Sequence, residues 1–248
     1  MKRTVDIYKQ FASKKGQIAI LIDPDKCSDL TQLNELLKKC QFASVDYIFI
    51  GGSTVSREAF QEVIQFIKLN STIPVVIFPG AAHQVSEKGD ALLYLSLISG
   101  RNPEYLIGQH VNSANEIFNM DIEIIPTAYI LIDGGTKSSV AYVSQTTPIP
   151  INNQNIILNT AKAGILQGKK LIYIDAGSGA NEHLPATIAT ELSKLEVPLI
   201  IGGGIKSVDS IKKLMNANVL VIGNKIEENI DFLLDIKHYI DIKNNEAC

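Results

Sequence analysis

Cysteine is scarce in this chain. Cys27, Cys40 and Cys248 are odd in number and share no short paired spacing, which argues against a disulfide framework or a zinc site and for a reducing cytoplasm. Long apolar runs are missing too: stretches such as Ile18 to Ile22 fall far below the ~18 residues that span a bilayer. Met1-Lys2-Arg3-Thr4-Val5-Asp6 lacks the apolar core of a secretion signal. Positive charge is not in excess. With 23 Lys and Arg against 26 Asp and Glu the net charge is −3, which argues against a nucleic-acid surface. An anionic small molecule stays open, because it needs only local donors. No Walker A loop occurs, no dinucleotide fingerprint follows the first strand, and no Gly-x-Ser-x-Gly elbow is present. His83, His110, His183 and His238 show no metal-ligand spacing. Without a Pro/Ser-rich linker, charge block or low-complexity tract, residues 1–248 read as one soluble, cytoplasmic domain.

What is present is an alternation. The length of 248 residues suits a (β/α)8 barrel. Short apolar, β-branched runs predict eight strands, near 17–22, 46–50, 74–78, 91–96, 123–132, 170–175, 198–202 and 218–222. Helical patterns predict helices near 29–41, 56–69, 103–119, 152–168, 184–195, 206–216 and 226–240. Pro74 and Pro198 stand at strand starts, where a missing ladder donor is tolerated. One unit breaks the rhythm. The stretch from Pro79 to Asp90 is too short and too interrupted by Gly80 and Gly89 for a barrel helix. The fold expected is therefore an α/β modified TIM barrel with the third helix missing or replaced, its wall open beside the gap.

Three late strands run straight into glycine turns: Asp175-Ala176-Gly177-Ser178-Gly179, Gly202-Gly203-Gly204 and Gly223-Asn224. The loops after strands 7 and 8 of a barrel commonly hold phosphate, and the N–H groups at helix starts favour anions. One such turn is usually only a turn, but two in adjacent closing loops favour phosphate. Asp175 ends strand 6 among them, placed to bind a hydroxyl or act as a general base; its bland role is capping the turn. At the other end of the sequence, strand 1 runs into Asp23-Pro24-Asp25-Lys26. This pattern reads equally as a turn or as carboxylates for Mg²⁺. Gly51-Gly52-Ser53-Thr54 after strand 2 places Ser53 near the same ion. Asp133-Gly134-Gly135-Thr136 is another rim loop or simply a turn.

With these residues in place the chain resembles the geranylgeranylglyceryl phosphate synthase family, in its archaeal-like group II branch with bacterial members. The resemblance runs from Leu21 to about Asn224. It is carried by Leu21-Ile22-Asp23-Pro24-Asp25-Lys26, Gly51-Gly52-Ser53, Gly100-Arg101-Asn102-Pro103-Glu104-Tyr105, Ile125-Pro126-Thr127-Ala128-Tyr129, Tyr142-Val143-Ser144-Gln145 and the closing loops, in order. It implies transfer of a prenyl group from a polyprenyl diphosphate to the 3-hydroxyl of sn-glycerol 1-phosphate, by a homo-oligomer that meets membranes only peripherally, through its lipid substrate and product. Mg²⁺ would be held by Asp23 with Ser53. Glycerol phosphate would lie against Tyr173, Ile174, Asp175, Ala176, Gly177, Ser178, Gly179, Gly203, Gly204, Gly223 and Asn224. The resemblance implies Glu where this chain has Asp175, one methylene longer. Leu21 stands where some bacterial relatives carry a phosphate-touching Lys. A phosphosugar isomerase or synthase on the same loops, or a non-catalytic phosphometabolite-binding barrel, are the competing readings.

Overall fold

The computed structural model describes residues 6–246; the first five residues and the last two, Cys248 among them, lie outside the described residues. Eight parallel strands close into a barrel in sequence order: β1 (Gln17–Ile22), β2 (Tyr47–Ile50), β3 (Val75–Ile77), β4 (Ala91–Leu97), β5 (Glu123–Leu131), β6 (Leu171–Asp175), β7 (Leu199–Gly202) and β8 (Val219–Ile222). Each falls where an apolar run predicts it. The runs are nearly continuous because both faces of a barrel strand are buried. Alternate residues divide into two cores. Tyr47, Phe49, Leu93, Tyr129, Tyr173 and Val221 fill the barrel, while Ile48, Ile50, Leu92, Ile172 and Ile174 meet the helices outside. Pro74 and Pro198 accept from Ile48 and Ile172 without needing to donate.

The helices begin at polar caps. Asp29 accepts from Thr31 and Gln32 N–H to start α2 (Leu30–Phe42), and Ser56 accepts from Ala59 N–H to start α3 (Arg57–Asn70). Asn153 and Ser207 do the same for α6 (Gln154–Leu166) and α8 (Val208–Leu214), while α7 (Ala186–Leu192) follows Pro185 without a side-chain cap. Two short helices escape the sequence reading. α1 (Ile7–Ser13) plugs the barrel floor with fully buried Ile7 and Phe11, and Glu123 accepts from Ile7 and Tyr8 N–H at 2.6 and 3.0 Å. α5 (Ser139–Ser144) lies beyond β5. The helix expected at 103–119 opens as a π-helical turn, Glu104–Gly108, before α4 (Gln109–Phe118). The one expected at 226–240 is broken into α9 (Asn224–Glu228) and α10 (Phe232–Glu246) by extended Asn229, whose side chain accepts from Asp231 N–H. No helix among the described residues is long and apolar enough to cross a membrane.

Among the described residues no helix joins β3 to β4. The connecting loop is instead satisfied by side chains. Fully buried Gln84 accepts from Gly80 N–H and donates to the Gly52 carbonyl, and Gln109 accepts from Ala82 N–H. Across the gap Arg57 at the start of α3 grips Glu116 of α4 with two hydrogen bonds, 3.1 and 2.8 Å. The β3–β4 ladder is short, Val76 opposite Ala91 and Ile77 opposite Leu92, whereas β4–β5 runs from Ala91 opposite Glu123 to Leu97 opposite Tyr129.

Candidate active site

The glycine turns meet at the C-terminal mouth of the barrel. Gly179 N–H donates to Asn224 Oδ1 at 2.8 Å and Ser178 Oγ donates to the same oxygen at 3.2 Å, which stitches the turn after β6 to the turn after β8. Gly203 sits between them at φ +80°. A Cβ there would fall 2.7 Å from Ala176 N and 2.8 Å from both Asp175 Oδ1 and Gly177 N, so only glycine lets the β7 turn lie against the β6 turn.

Asp175 is 9% exposed and both its oxygens are engaged. Tyr129 Oη donates to Oδ2 at 2.6 Å and Gly177 N–H donates to Oδ1 at 2.7 Å. Burial holds the Asp175 carboxyl above its ordinary range, outweighing the two donors that favour the charged form. The phenols of Tyr129 and Tyr173 are pushed well up, by burial first and by the Asp175 charge second. Their rings pack with Phe78: Tyr129 is edge-on to Phe78 and Tyr173 at 5.6 and 5.5 Å.

Asp23 faces the same cavity from the end of β1. It is partly buried, accepts from Asp25 N–H at 3.2 Å, and burial raises its carboxyl. Asp25 turns outward and accepts from Thr54 Oγ1 at 2.9 Å, so the structure separates the two carboxylates that sequence alone left equivalent. Gly52 leaves room beside Asp23, since a Cβ there would strike its carboxylate. Lys26 and Asn224 both donate to Glu227 Oε2, at 2.7 and 3.2 Å, tying the β1 loop to the glycine turns.

One cavity of about 270 Å³ contains Asp23, Ser53, Tyr173, Asp175, Gly177, Ser178, Gly179, Gly203, Gly204, Gly223 and Asn224. Ile174 and Ala176 are not brought to it. Strand alternation turns Ile174 and the Ala176 methyl toward the helices, and the Ala176 N–H is spent on the Gly202 carbonyl. From the Asp23 side an apolar arm of the cavity runs to the missing-helix wall, past Phe78, Val85, Leu92, Tyr94 and Ile117. Tyr94 stacks on His110, whose Nε2 lies 2.6 Å from the Leu95 carbonyl and whose ring burial holds below the usual imidazole range. Sequence reasoning gave no role to Tyr129, Lys26, Glu227 or His110; Tyr129 and Lys26 carried a signal only as members of longer motifs.

A protein-family model, the PcrB family, matches residues 11–240 of this chain. The chain belongs to that family. A geranylgeranylglyceryl phosphate synthase of Chitinophaga pinensis is 44% identical over 239 residues, covering 93% of this chain and 94% of the relative. One from the archaeon Pyrococcus furiosus is 37% identical over 218 residues, 86% of each chain. The solved structure of (S)-3-O-geranylgeranylglyceryl phosphate synthase from Thermoplasma acidophilum, in complex with its substrate sn-glycerol-1-phosphate, superposes with a TM-score of 0.86 at 29% identity over 96% of both chains. The family expected from the motifs, with bacterial and archaeal members, is the one found. So is the barrel.

Proposed function

We infer that the protein is a prenyltransferase that joins a polyprenyl diphosphate to the 3-hydroxyl of sn-glycerol 1-phosphate and releases diphosphate in ether-lipid synthesis. The observation that carries this reading is a single cavity with two polar ends and an apolar arm. The glycine turns supply backbone donors for a phosphate, the Asp23 loop supplies oxygen ligands, and the arm at the missing helix accepts a long hydrocarbon. A phosphosugar enzyme has no use for that arm. The names of the relatives and the bound substrate of the Thermoplasma acidophilum enzyme support the same choice.

Asp23 and Ser53 fit a hard cation. Among the described residues Asp23 is a partly buried carboxylate with no salt bridge, room is kept beside it by Gly52, and Ser53 makes no side-chain hydrogen bond. Mg²⁺ is bound through one or two carboxylates plus substrate phosphates, which is the donor set that Asp23, Ser53 and a diphosphate would offer. When bound it would neutralise charge on the departing diphosphate. The remaining work falls to the chain. The phosphate turns orient the acceptor hydroxyl toward the allylic carbon, making an oriented encounter of a bimolecular one. The buried Asp175 carboxylate is the base that ends with the proton released as the new C–O bond forms. Homo-oligomerisation belongs to the same reading: Ile107, Val111 and Phe118 stand exposed along the outer π-turn and α4 wall, and a monomeric mass by light scattering would refute it.

The test is incubation of the purified protein with labelled sn-glycerol 1-phosphate, geranylgeranyl diphosphate and Mg²⁺. Butanol-extractable labelled product is expected. Its absence at every Mg²⁺ concentration overturns the prenyltransferase reading.

A further inference from the structure

Each Asp175 oxygen already accepts a hydrogen bond at the cavity wall. Oδ1 accepts from Gly177 N–H at 2.7 Å and lies beside the β7 turn, at a point where Gly203 has no room for a side chain. Oδ2 is covered by the Tyr129 hydroxyl at 2.6 Å. Tyr129 lines the cavity, and its ring packs edge-on against both Phe78 and Tyr173, which also touch each other, so the phenol is held in place by two aromatic neighbours. Its proton is committed to Asp175. No other hydrogen bond is made by the phenol oxygen among the described residues, which leaves its lone pairs for a hydroxyl arriving from the phosphate turns.

We propose that Tyr129 is a further catalytic residue, relaying the acceptor's proton to Asp175. This rests on the reading of Asp175 as the base. As the acceptor oxygen bonds to the allylic carbon, the carbon–oxygen bond to diphosphate breaks and its electron pair leaves with diphosphate. The acceptor O–H proton passes to Tyr129 Oη, and the Tyr129 proton passes to Asp175 Oδ2, which ends as a neutral carboxylic acid. The two transfers occur together, because a free phenolate beside a buried carboxylate would place two like charges in a low-dielectric site. The raised affinity of buried Asp175 for a proton favours the final step. The phenol also gives the short aspartate the reach it lacks.

The test compares wild type, Tyr129→Phe, Asp175→Asn and the double variant Tyr129→Phe with Asp175→Glu, each checked for folding by circular dichroism. Product formation is assayed at saturating substrates, and the Kd for sn-glycerol 1-phosphate is measured by calorimetry. The expected result for Tyr129→Phe is a kcat loss of ~100-fold or more, the ordinary worth of a positioned proton-transfer group, with Kd unchanged within ~3-fold. Adding Asp175→Glu regains at least ~10-fold of that kcat, since the side chain lengthens by about 1.5 Å and reaches the hydroxyl itself. A Tyr129→Phe enzyme within ~3-fold of wild-type kcat overturns the relay and leaves direct transfer to Asp175. So does a loss confined to Kd, or a loss in kcat that glutamate does not restore, either of which makes Tyr129 a packing residue. An Asp175→Asn enzyme at wild-type rate overturns the underlying base reading instead.

Discussion

Replacing Gly203 by alanine tests the packing of the β6 and β7 glycine turns directly. The residue holds φ at +80°, where an L side chain costs about 1–2 kcal/mol. Its new methyl would also sit 2.7–2.8 Å from Ala176 N, Gly177 N and Asp175 Oδ1. Two of these are backbone atoms that cannot step aside, and overpacking of this kind adds about 1–3 kcal/mol. The sum is about 2–5 kcal/mol, and each kcal/mol lowers Tm by about 2–4 °C in a chain of this size. Gly168 supplies the control. It has φ +83°, and a methyl placed there would meet nothing within 4 Å, so Gly168→Ala carries the strain alone, about 1–2 kcal/mol. The Gly203 variant must also push the β7 turn off the β6 turn and carry the Gly203 and Gly204 N–H groups with it, and losing one such charge-assisted donor of about 1.5–3 kcal/mol weakens sn-glycerol 1-phosphate binding by about 10–100-fold. Differential scanning calorimetry and titration calorimetry measure both. Equal Tm losses for the two variants, or unchanged binding in Gly203→Ala, would refute the packing account.

The base reading carries a pH signature. Because burial lifts the Asp175 carboxyl above its ordinary range, and only the ionised form accepts a proton, kcat should fall as pH drops through that raised value; an acid limb at the usual carboxylate position counts against it. Asp23→Asn, which keeps shape but removes the charge that would hold Mg²⁺, should cut turnover by ~100-fold or more while leaving the unfolding temperature near wild type; an unaltered Mg²⁺ titration would contradict the assignment. At the barrel floor, Glu123→Ala strips the acceptor from Ile7 and Tyr8 N–H. That should cost about 0.5–2 kcal/mol, read as a lower Tm, with turnover preserved because the site lies at the other end.

Much of this was legible because barrel strands announce themselves. Leu171-Ile172-Tyr173-Ile174 can be little else than a strand buried on both faces, and its alternation already assigns Tyr173 inward and Ile174 outward. The absent third helix was legible from the glycines and shortness of the 79–90 stretch. The short helices were not: α1 is a single pair of buried residues, Ile7 and Phe11, whose meaning depends on the barrel floor they plug. The break of the C-terminal helix at Asn229 turns on one local side-chain hydrogen bond. The Tyr129–Asp175 pair lay beyond reach for a different reason. Register places Tyr129 opposite Tyr173 and Leu131 opposite Asp175, and an offset between two strands 46 residues apart is written in no local pattern.

The seam between β3 and β4 has a consequence for how the barrel breathes. It is stitched at the floor, where Asp90 exchanges hydrogen bonds with Val75 at 2.7 Å and is clamped by Lys68 at 2.8 Å. Toward the mouth the ladder ends after Ile77 and Leu92. A closed barrel whose shortest ladder is fastened at one end is least restrained at its rim, where the fewest pairs hold the two strands together. Amide exchange should therefore be fastest, among the strands, at the rim end of β3. The same lips border the apolar arm of the cavity, so a long hydrocarbon can be laid in from the side rather than threaded down through the mouth.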